Sequence, residues 1–136
     1  MTAKNLLMLK ISSHPSNIAC LESFLHDVSK RFQLREDLFA NMLISLTEAV
    51  NNAIIHGNQC DDKKFVHVYL EHNNDRISFR VCDEGKGFNP ENLPDPTAEE
   101  NLCKEGGRGV FLIKQLCDQV DFDNNGSTVK LNFFTR

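Results

Sequence analysis

The spacing of apolar residues changes several times along this chain, and each change marks a predicted element. Residues 6–12 (LLMLKIS) form an apolar run of strand length, broken by His14-Pro15-Ser16. From Ile18 to Phe32 the residues Ile18, Leu21, Leu25, Val28 and Phe32 recur at steps of three and four. That period predicts an amphipathic helix, with Ser16 as its N-cap after Pro15. Arg35-Glu36-Asp37 opens a second helix, its acidic residues suited to the N-terminal dipole. This helix runs from Leu38 to Asn58 and meets no Gly or Pro until Gly57, a residue type that commonly stops helices. Residues 65–71 (FVHVYLE) and 76–82 (RISFRVC) alternate apolar and polar positions across the turn cluster His72-Asn73-Asn74-Asp75, which predicts an antiparallel hairpin with one face under helices. Val110 to Val120 (VFLIKQLCDQV) reads as helix, Asp123 to Gly126 as a turn, and Thr128 to Phe134 as a final alternating strand.

The long second helix organises the rest. Phe39, Met42, Leu43, Leu46, Ala49, Val50, Ala53 and Ile54 share one broad apolar arc that must face a core. Asn41, Ser45, Glu48, Asn52 and His56 fall within roughly 80° on another face. A solvated face would carry Lys and several Glu. A single carboxylate among amides, a hydroxyl and an imidazole predicts a lined cleft. Glu48 and Asn52 are one turn apart. An Asn oxygen can ligate a hard cation such as Mg²⁺, and a neighbouring carboxylate can accept a proton or orient water. Ordinary helix-surface polarity is the other reading of the same pair.

Composition narrows the possibilities. The 136 residues, 40% hydrophobic and 25% charged, fit one domain over residues 1–136 with one core. A net charge of −4 and the lack of a basic run argue against a nucleic-acid partner. No continuous apolar run reaches membrane-spanning length, and the N-terminus lacks a signal-peptide layout, so a cytoplasmic protein without a membrane partner is expected. The five cysteines are odd in number and contain no CxxC pair, which signals neither a disulfide framework nor a zinc ribbon. Cys20, Cys82 and Cys117 lie in apolar patterns and are expected in the core.

Two glycine segments carry candidate chemistry. Asp83-Glu84-Gly85-Lys86-Gly87-Phe88 follows a strand directly. Asp83 could accept a hydrogen bond from an exocyclic amine such as that of adenine, and Gly85 and Gly87 would let a flat base approach the backbone. Gly106-Gly107-Arg108-Gly109 precedes a helix, where bare backbone N–H groups favour phosphate oxygens. Arg108, Lys104 and Lys86 are candidate phosphate contacts. A polar turn and a flexible connector are the plain alternatives. Neither segment fits a Walker A or a Rossmann glycine pattern. Between them Asn89 to Glu105 contains three of the chain's four prolines and predicts a long loop, with a turn of helix around Thr97 to Leu102.

Taken in order, these segments resemble a known family. Glu48-Ala49-Val50-Asn51-Asn52-Ala53-Ile54-Ile55-His56-Gly57 is similar to the N box of the ATPase domain shared by sensor histidine kinases, the Hsp90 chaperone, type II topoisomerases and mismatch-repair ATPases. Asp83 to Phe88 is similar to its first glycine box, and Gly106 to Gly109 to its second. The wording of LTEAVNNAIIHGN and DEGKGF looks most like the anti-sigma factors with serine-protein kinase activity.

The resemblance implies a Bergerat ATP-binding fold. That is an α+β two-layer sandwich, with a mixed, mostly antiparallel sheet of about five strands and helices packed on one face. It implies ATP and Mg²⁺ as cofactors, with Asn52 ligating Mg²⁺ and Glu48 as base for a serine hydroxyl. Asp83 would bind the adenine amine, with Gly85, Gly87 and Phe88 around the base. Gly107 and Gly109 would support the phosphates, with Arg108, at a position not fixed as basic in the family, and Val110 beside them in the cofactor site, and Asn89 to Glu105 would form a lid. A sigma factor and an anti-anti-sigma (STAS-type) protein are the implied partners, and a homodimer the implied state. A nucleotide-gated binding module without phosphotransfer is the competing function. A sensor-kinase fragment fits less well, because the first helix carries His26 but no second dimerisation helix precedes the N box. A topoisomerase or chaperone lacks its transducer domain here.

Overall fold

A computed structural model describes residues 5–85, 107–123 and 127–135. Five strands and three helices run in the order β1 (Asn5–Ser12), α1 (Ile18–Phe32), α2 (Glu36–Asn52), β2 (Phe65–His72), β3 (Arg76–Cys82), α3 (Gly107–Leu116), β4 (Gln119–Asp123) and β5 (Thr128–Phe134). The strands form one sheet in the order β1-β2-β3-β5-β4. Every pairing among them is antiparallel. The architecture is therefore α+β with about five strands, as expected, and no parallel pair occurs among the described strands.

The period-two pattern separates the sheet's two faces. Val66, Val68 and Leu70 of β2, Ile77, Phe79 and Val81 of β3, and Val129, Leu131 and Phe133 of β5 are all buried on the helix side. Phe79 and Phe133 meet edge to face, with ring centroids 6.1 Å apart. From α1 come Leu21, Leu25 and Val28, and from α2 Leu38, Met42, Leu46, Ala49 and Val50. The opposite face carries Tyr69, Arg80 and Lys130 in one cross-strand row. Arg80 lies over the Tyr69 ring at 5.5 Å and 3.7 Å from Glu71.

Four local expectations change in the structure. Ser16 does not cap α1. It sits in a 3₁₀ turn, Pro15–Asn17, where its N–H donates to His14 Nδ1. The organising helix does not run regularly to Asn58, because residues Ala53–Gly57 form a π turn that widens its end. The third helix stops at Leu116, and Gln119–Asp123 is a strand rather than helix. Asp118 enforces that break: its N–H donates to Asn132 O at 3.0 Å and its Oδ2 accepts from Phe134 N at 2.7 Å. Once tied to β5, QVDFD alternates with Val120 and Phe122 packed against the core. Last, Cys20 is exposed, and Cys82 faces Thr128 across the sheet at 3.8 Å, so neither is a core residue.

The 22 residues Glu36–Gly57 are long and apolar enough to cross a membrane, which a search for continuous apolar runs does not reveal. In the fold this stretch is the central helix, with Met42, Leu46, Val50 and Ile54 fully enclosed.

Candidate functional site

The end of α2 meets the end of β3, and that junction builds the site. A narrow crevice, with room for little more than a water molecule, is lined by Ala49, Asn52, Ala53, Val81, Asp83, Ile113, Phe122 and Val129. Six of these eight linings are apolar, so the crevice suits a flat, poorly hydrated group, and among the described residues its polar side chains are Asn52 and Asp83. Asn52 is 6% exposed, and its Nδ2 has no hydrogen-bond partner among the described residues. A buried N–H left unpaired is costly, and a water or a ligand acceptor would relieve it.

Asp83 follows β3, and its N–H donates to Ser127 O at 2.9 Å. Its Oδ1 accepts from Gly85 N at 2.9 Å, closing a tight Asx turn. Burial holds the Asp83 carboxyl above the ordinary carboxylate range, opposed by the Gly85 N–H and by the positive charge of Lys64. Two glycines make its position possible. A Cβ on Gly57 would lie 2.3 Å from Asp83 Oδ2, and a Cβ on Gly85 only 1.6 Å from Gly57 O. The backbone at 57, the Asp83 carboxylate and the backbone at 85 are therefore stacked in direct contact.

A second set of contacts fixes this stack. Asn58 is fully buried. Its Nδ2 donates to Ser13 Oγ at 2.7 Å and to Phe65 O at 3.1 Å, while its Oδ1 accepts from Glu84 N at 2.8 Å. Glu84 in turn accepts from Phe65 N, and Ser13 Oγ donates to Lys64 O at 2.9 Å. The chain reaches this arrangement through Gln59 and Cys60, both left-handed at φ 54° and 56°.

The expected residues distribute as follows. Asn52 and Asp83 come together on the crevice, and Gly85 supports Asp83. Glu48 is half-buried on α2, one turn before Asn52, but does not line the crevice. Gly107, Arg108 and Gly109 form the first turn of α3, and Val110 is buried there. Lys86, Gly87, Phe88, Lys104, Gly106, the 89–105 loop and most of the 123–126 turn lie outside the described residues. The polar stripe is not one open cleft. Ser45 is buried, and the Cys117 thiol that follows α3 faces it, its pKa pushed up to about 11 by burial. His56 is exposed.

Sequence reasoning missed the apolar lining from Ile113, Phe122 and Val129, which comes from elements distant in the chain. It also missed Gly57 as a packing glycine and Asn58 as a buried hub. The signal available was the Gly-Asn pair at the helix end, read there only as a stop.

Comparisons with known proteins place this geometry. The family model described as "Histidine kinase-like ATPase domain" matches residues 11–133. The serine-protein kinase RsbW of Bacillus velezensis is 26% identical over 137 residues, covering 96% of this chain and 86% of its own. The RsbW of Oceanobacillus iheyensis is 25% identical over 122 residues, covering 85% and 77%. That of Staphylococcus aureus is 23% identical over 141 residues, covering 98% and 89%. In fold, the chain resembles the crystal structure of the RsbU and RsbW domains of Rv1364c from Mycobacterium tuberculosis, with a TM-score of 0.66 at 12% identity, over 97% of this chain and 32% of that one. With a family match across nearly its whole length, and with relatives named serine-protein kinases, the chain belongs to the histidine kinase-like ATPase family.

Proposed function

We propose that this chain is one ATPase domain acting as a bacterial, cytoplasmic anti-sigma factor with ATP- and Mg²⁺-dependent serine-protein kinase activity. It would phosphorylate an anti-anti-sigma (STAS-type) protein and, in its other binding state, sequester a sigma factor, working as a homodimer. The observation that carries the reading is the apolar crevice with its two polar groups, Asn52 and Asp83, at the junction of α2 and β3.

The residues present fit the implied ligands. The crevice walls suit an adenine ring, and the Asp83 carboxylate suits its amine. Gly85, Gly87 and Phe88 would complete the base site. The N-terminal turn of α3, with Gly107, Arg108, Gly109 and Val110, suits phosphate oxygens. The Asn52 Nδ2 is buried without a hydrogen-bond partner among the described residues, and its Oδ1 is the atom that could ligate a cation. No group of three or more His, Cys, Asp or Glu able to hold a metal occurs among the described residues. A cation here would be held through Asn52 and substrate phosphates, which is how Mg²⁺ prefers to bind. Mg²⁺, when bound with ATP, would neutralise phosphate charge.

Glu48 would take the serine proton. As the serine Oγ–Pγ bond forms and the bond from Pγ to the β-phosphate oxygen breaks, that proton passes to Glu48, leaving phosphoserine and ADP. Positioning and charge stabilisation would supply most of the rate.

A second reading, a nucleotide-gated binder without transfer, draws support from the absence of Glu48 from the crevice lining. Calorimetry with ATP and Mg²⁺ on wild type and Asp83→Asn, followed by phosphoprotein detection with a cognate antagonist, separates the possibilities. Binding lost in the variant, with phosphoserine formed by wild type, supports the kinase. Binding without phosphoserine leaves the gated binder, and no binding by wild type removes both.

A further inference from the structure

Asn58 is not among the expected site residues, yet its side chain makes three hydrogen bonds beside the crevice. It is fully buried, and its amide bridges three segments: Ser13 after β1, Phe65 at the start of β2, and Glu84 after β3. Its own backbone leaves the π turn, with the Asn58 N–H donating to Ala53 O at 2.8 Å. The residue before it is Gly57, whose backbone abuts the Asp83 carboxylate and Gly85.

We propose that Asn58 is a positioning residue that sets base specificity by pinning the Asp83-Glu84-Gly85 turn against the end of α2. This rests on the reading of the crevice as a site for a purine nucleotide, with Asp83 accepting from the base amine.

The reasoning is geometric. Asp83 alone is a short side chain on a turn that follows a strand, and such a turn can hinge. Two bonds on the neighbouring residue stop it: the Glu84 N–H to Asn58 Oδ1 and the Glu84 carboxylate to Phe65 N. Both anchors converge on the 58–65 segment, which Asn58 itself ties to Ser13. Asn fits this place because one planar amide offers an acceptor on one side and two donors on the other. Asp would keep the acceptor and lose both donors while burying a charge. Leu would keep neither. When the pin is lost the turn moves, and the carboxylate leaves the position where an amine is read but a carbonyl is refused. The adenine base should then lose its advantage over hypoxanthine, which carries an oxygen in place of that amine.

The test is nucleotide preference, measured as the ratio of ITP to ATP dissociation constants with Mg²⁺ by calorimetry. Variants are Asn58→Ala, Asn58→Asp and Ser13→Ala, each checked for folding by circular dichroism and thermal melting. Wild type should prefer ATP. Asn58→Ala and Asn58→Asp should cut that preference by about tenfold, the equivalent of one charge-assisted hydrogen bond. Ser13→Ala, which removes one anchor of the amide together with the Ser13 Oγ–H bond to Lys64 O and leaves the amide's bonds to Phe65 and Glu84, should cut it by about threefold. A purely structural role would lower the melting temperature and weaken both nucleotides equally, leaving the ratio unchanged, and that outcome overturns the proposal. Should the Asn58 variants fail to fold, an unchanged ratio in Ser13→Ala overturns it alone. Wild type that binds neither nucleotide, or does not discriminate, overturns the purine-site reading instead.

Discussion

Replacing Gly57 by Ala should remove nucleotide binding while leaving the fold almost untouched. The added Cβ would lie 2.3 Å from Asp83 Oδ2, 2.4 Å from Cγ and 2.9 Å from Oδ1, all well inside van der Waals contact. The obstructed group is the tip of a side chain rather than backbone, so the carboxylate swings away. In doing so it gives up its bond from Gly85 N at 2.9 Å, worth about 1 kcal/mol. Ala in place of Gly recovers up to about 1 kcal/mol through the unfolded chain, since Gly57 closes a π turn at ordinary dihedrals. The melting temperature should therefore stay within about 4 °C of wild type. Binding should suffer far more. A hydrogen bond from a base amine to a carboxylate contributes about 1.5–3 kcal/mol, so the ATP dissociation constant should rise about 10- to 150-fold. Calorimetry with Mg²⁺ and ATP, beside thermal melts by circular dichroism, measures both. Gly85→Ala is the contrasting variant: its Cβ would lie 1.6 Å from Gly57 O and 2.4 Å from Gly57 C. Backbone must yield there, so stability and binding should fall together. Wild-type ATP affinity in a folded Gly57→Ala protein would refute the claim that the Asp83 position governs binding.

Three further outcomes follow from the same geometry. Asn52→Ala should abolish Mg²⁺-dependent ATP binding without lowering the melting temperature, because the Asn52 Nδ2 has no partner to lose among the described residues; a melt depressed by more than about 4 °C would contradict it. Asp83→Asn should melt above wild type at pH 7. The folded protein holds the Asp83 proton more tightly than the unfolded chain, so stability falls as pH rises from the ordinary 3.8 through the raised folded value; the advantage of the variant should vanish below that window, and a gap independent of pH would exclude the desolvation account. Iodoacetamide at pH 8 followed by mass spectrometry should label Cys20 and Cys60 rapidly and Cys117 slowly until the protein unfolds, since the first two are exposed and burial pushes the last to a pKa of about 11; equal rates would show that the Cys117 thiol is not buried against Ser45.

Much of this fold is legible in the chain because its elements obey a single period each. Ile18–Phe32 and Arg76–Cys82 have the bounds the pattern predicts, and so does Thr128–Phe134. β4 was lost because an apolar residue at 120 continues the helical spacing of α3. The evidence against that helix is an Asp118 side chain bound to a strand neighbour sixteen residues on, a tertiary fact. The site divides the same way. Asn52 and Asp83 stand out as residue types with chemistry at element ends. Ile113, Phe122 and Val129 do not, because an apolar side chain that lines a crevice looks like one that fills a core. Asn58 is the sharper case. It sits in a polar segment, Asn58 to Lys64, where Asn is ordinary, and only the fold brings Ser13, Phe65 and Glu84 around it.

Several features that cost this protein stability lie near the crevice, while Gln33, Ser45 Oγ and Arg76 Nε carry similar costs elsewhere. Asp83 is a carboxylate half removed from water, Asn52 carries an unpaired buried amide, and Gln59 and Cys60 are non-glycine residues in left-handed backbone. Each runs against folding by an amount on the order of 1–3 kcal/mol for the unpaired amide and 1–2 kcal/mol for each left-handed residue. Of these, Asp83 and Asn52 line the crevice itself, where a bound ligand could pair with both. The core beneath supplies the rigidity: Ala49 and Ala53 line the crevice from a helix whose Val50 and Ile54 are fully enclosed. A small residue at 49 and 53 leaves space that a Leu at either position would fill, and the fold could have gained burial by filling it. That the chain instead keeps alanines above the core and polar groups at the rim is the physical case for a ligand between α2 and β3.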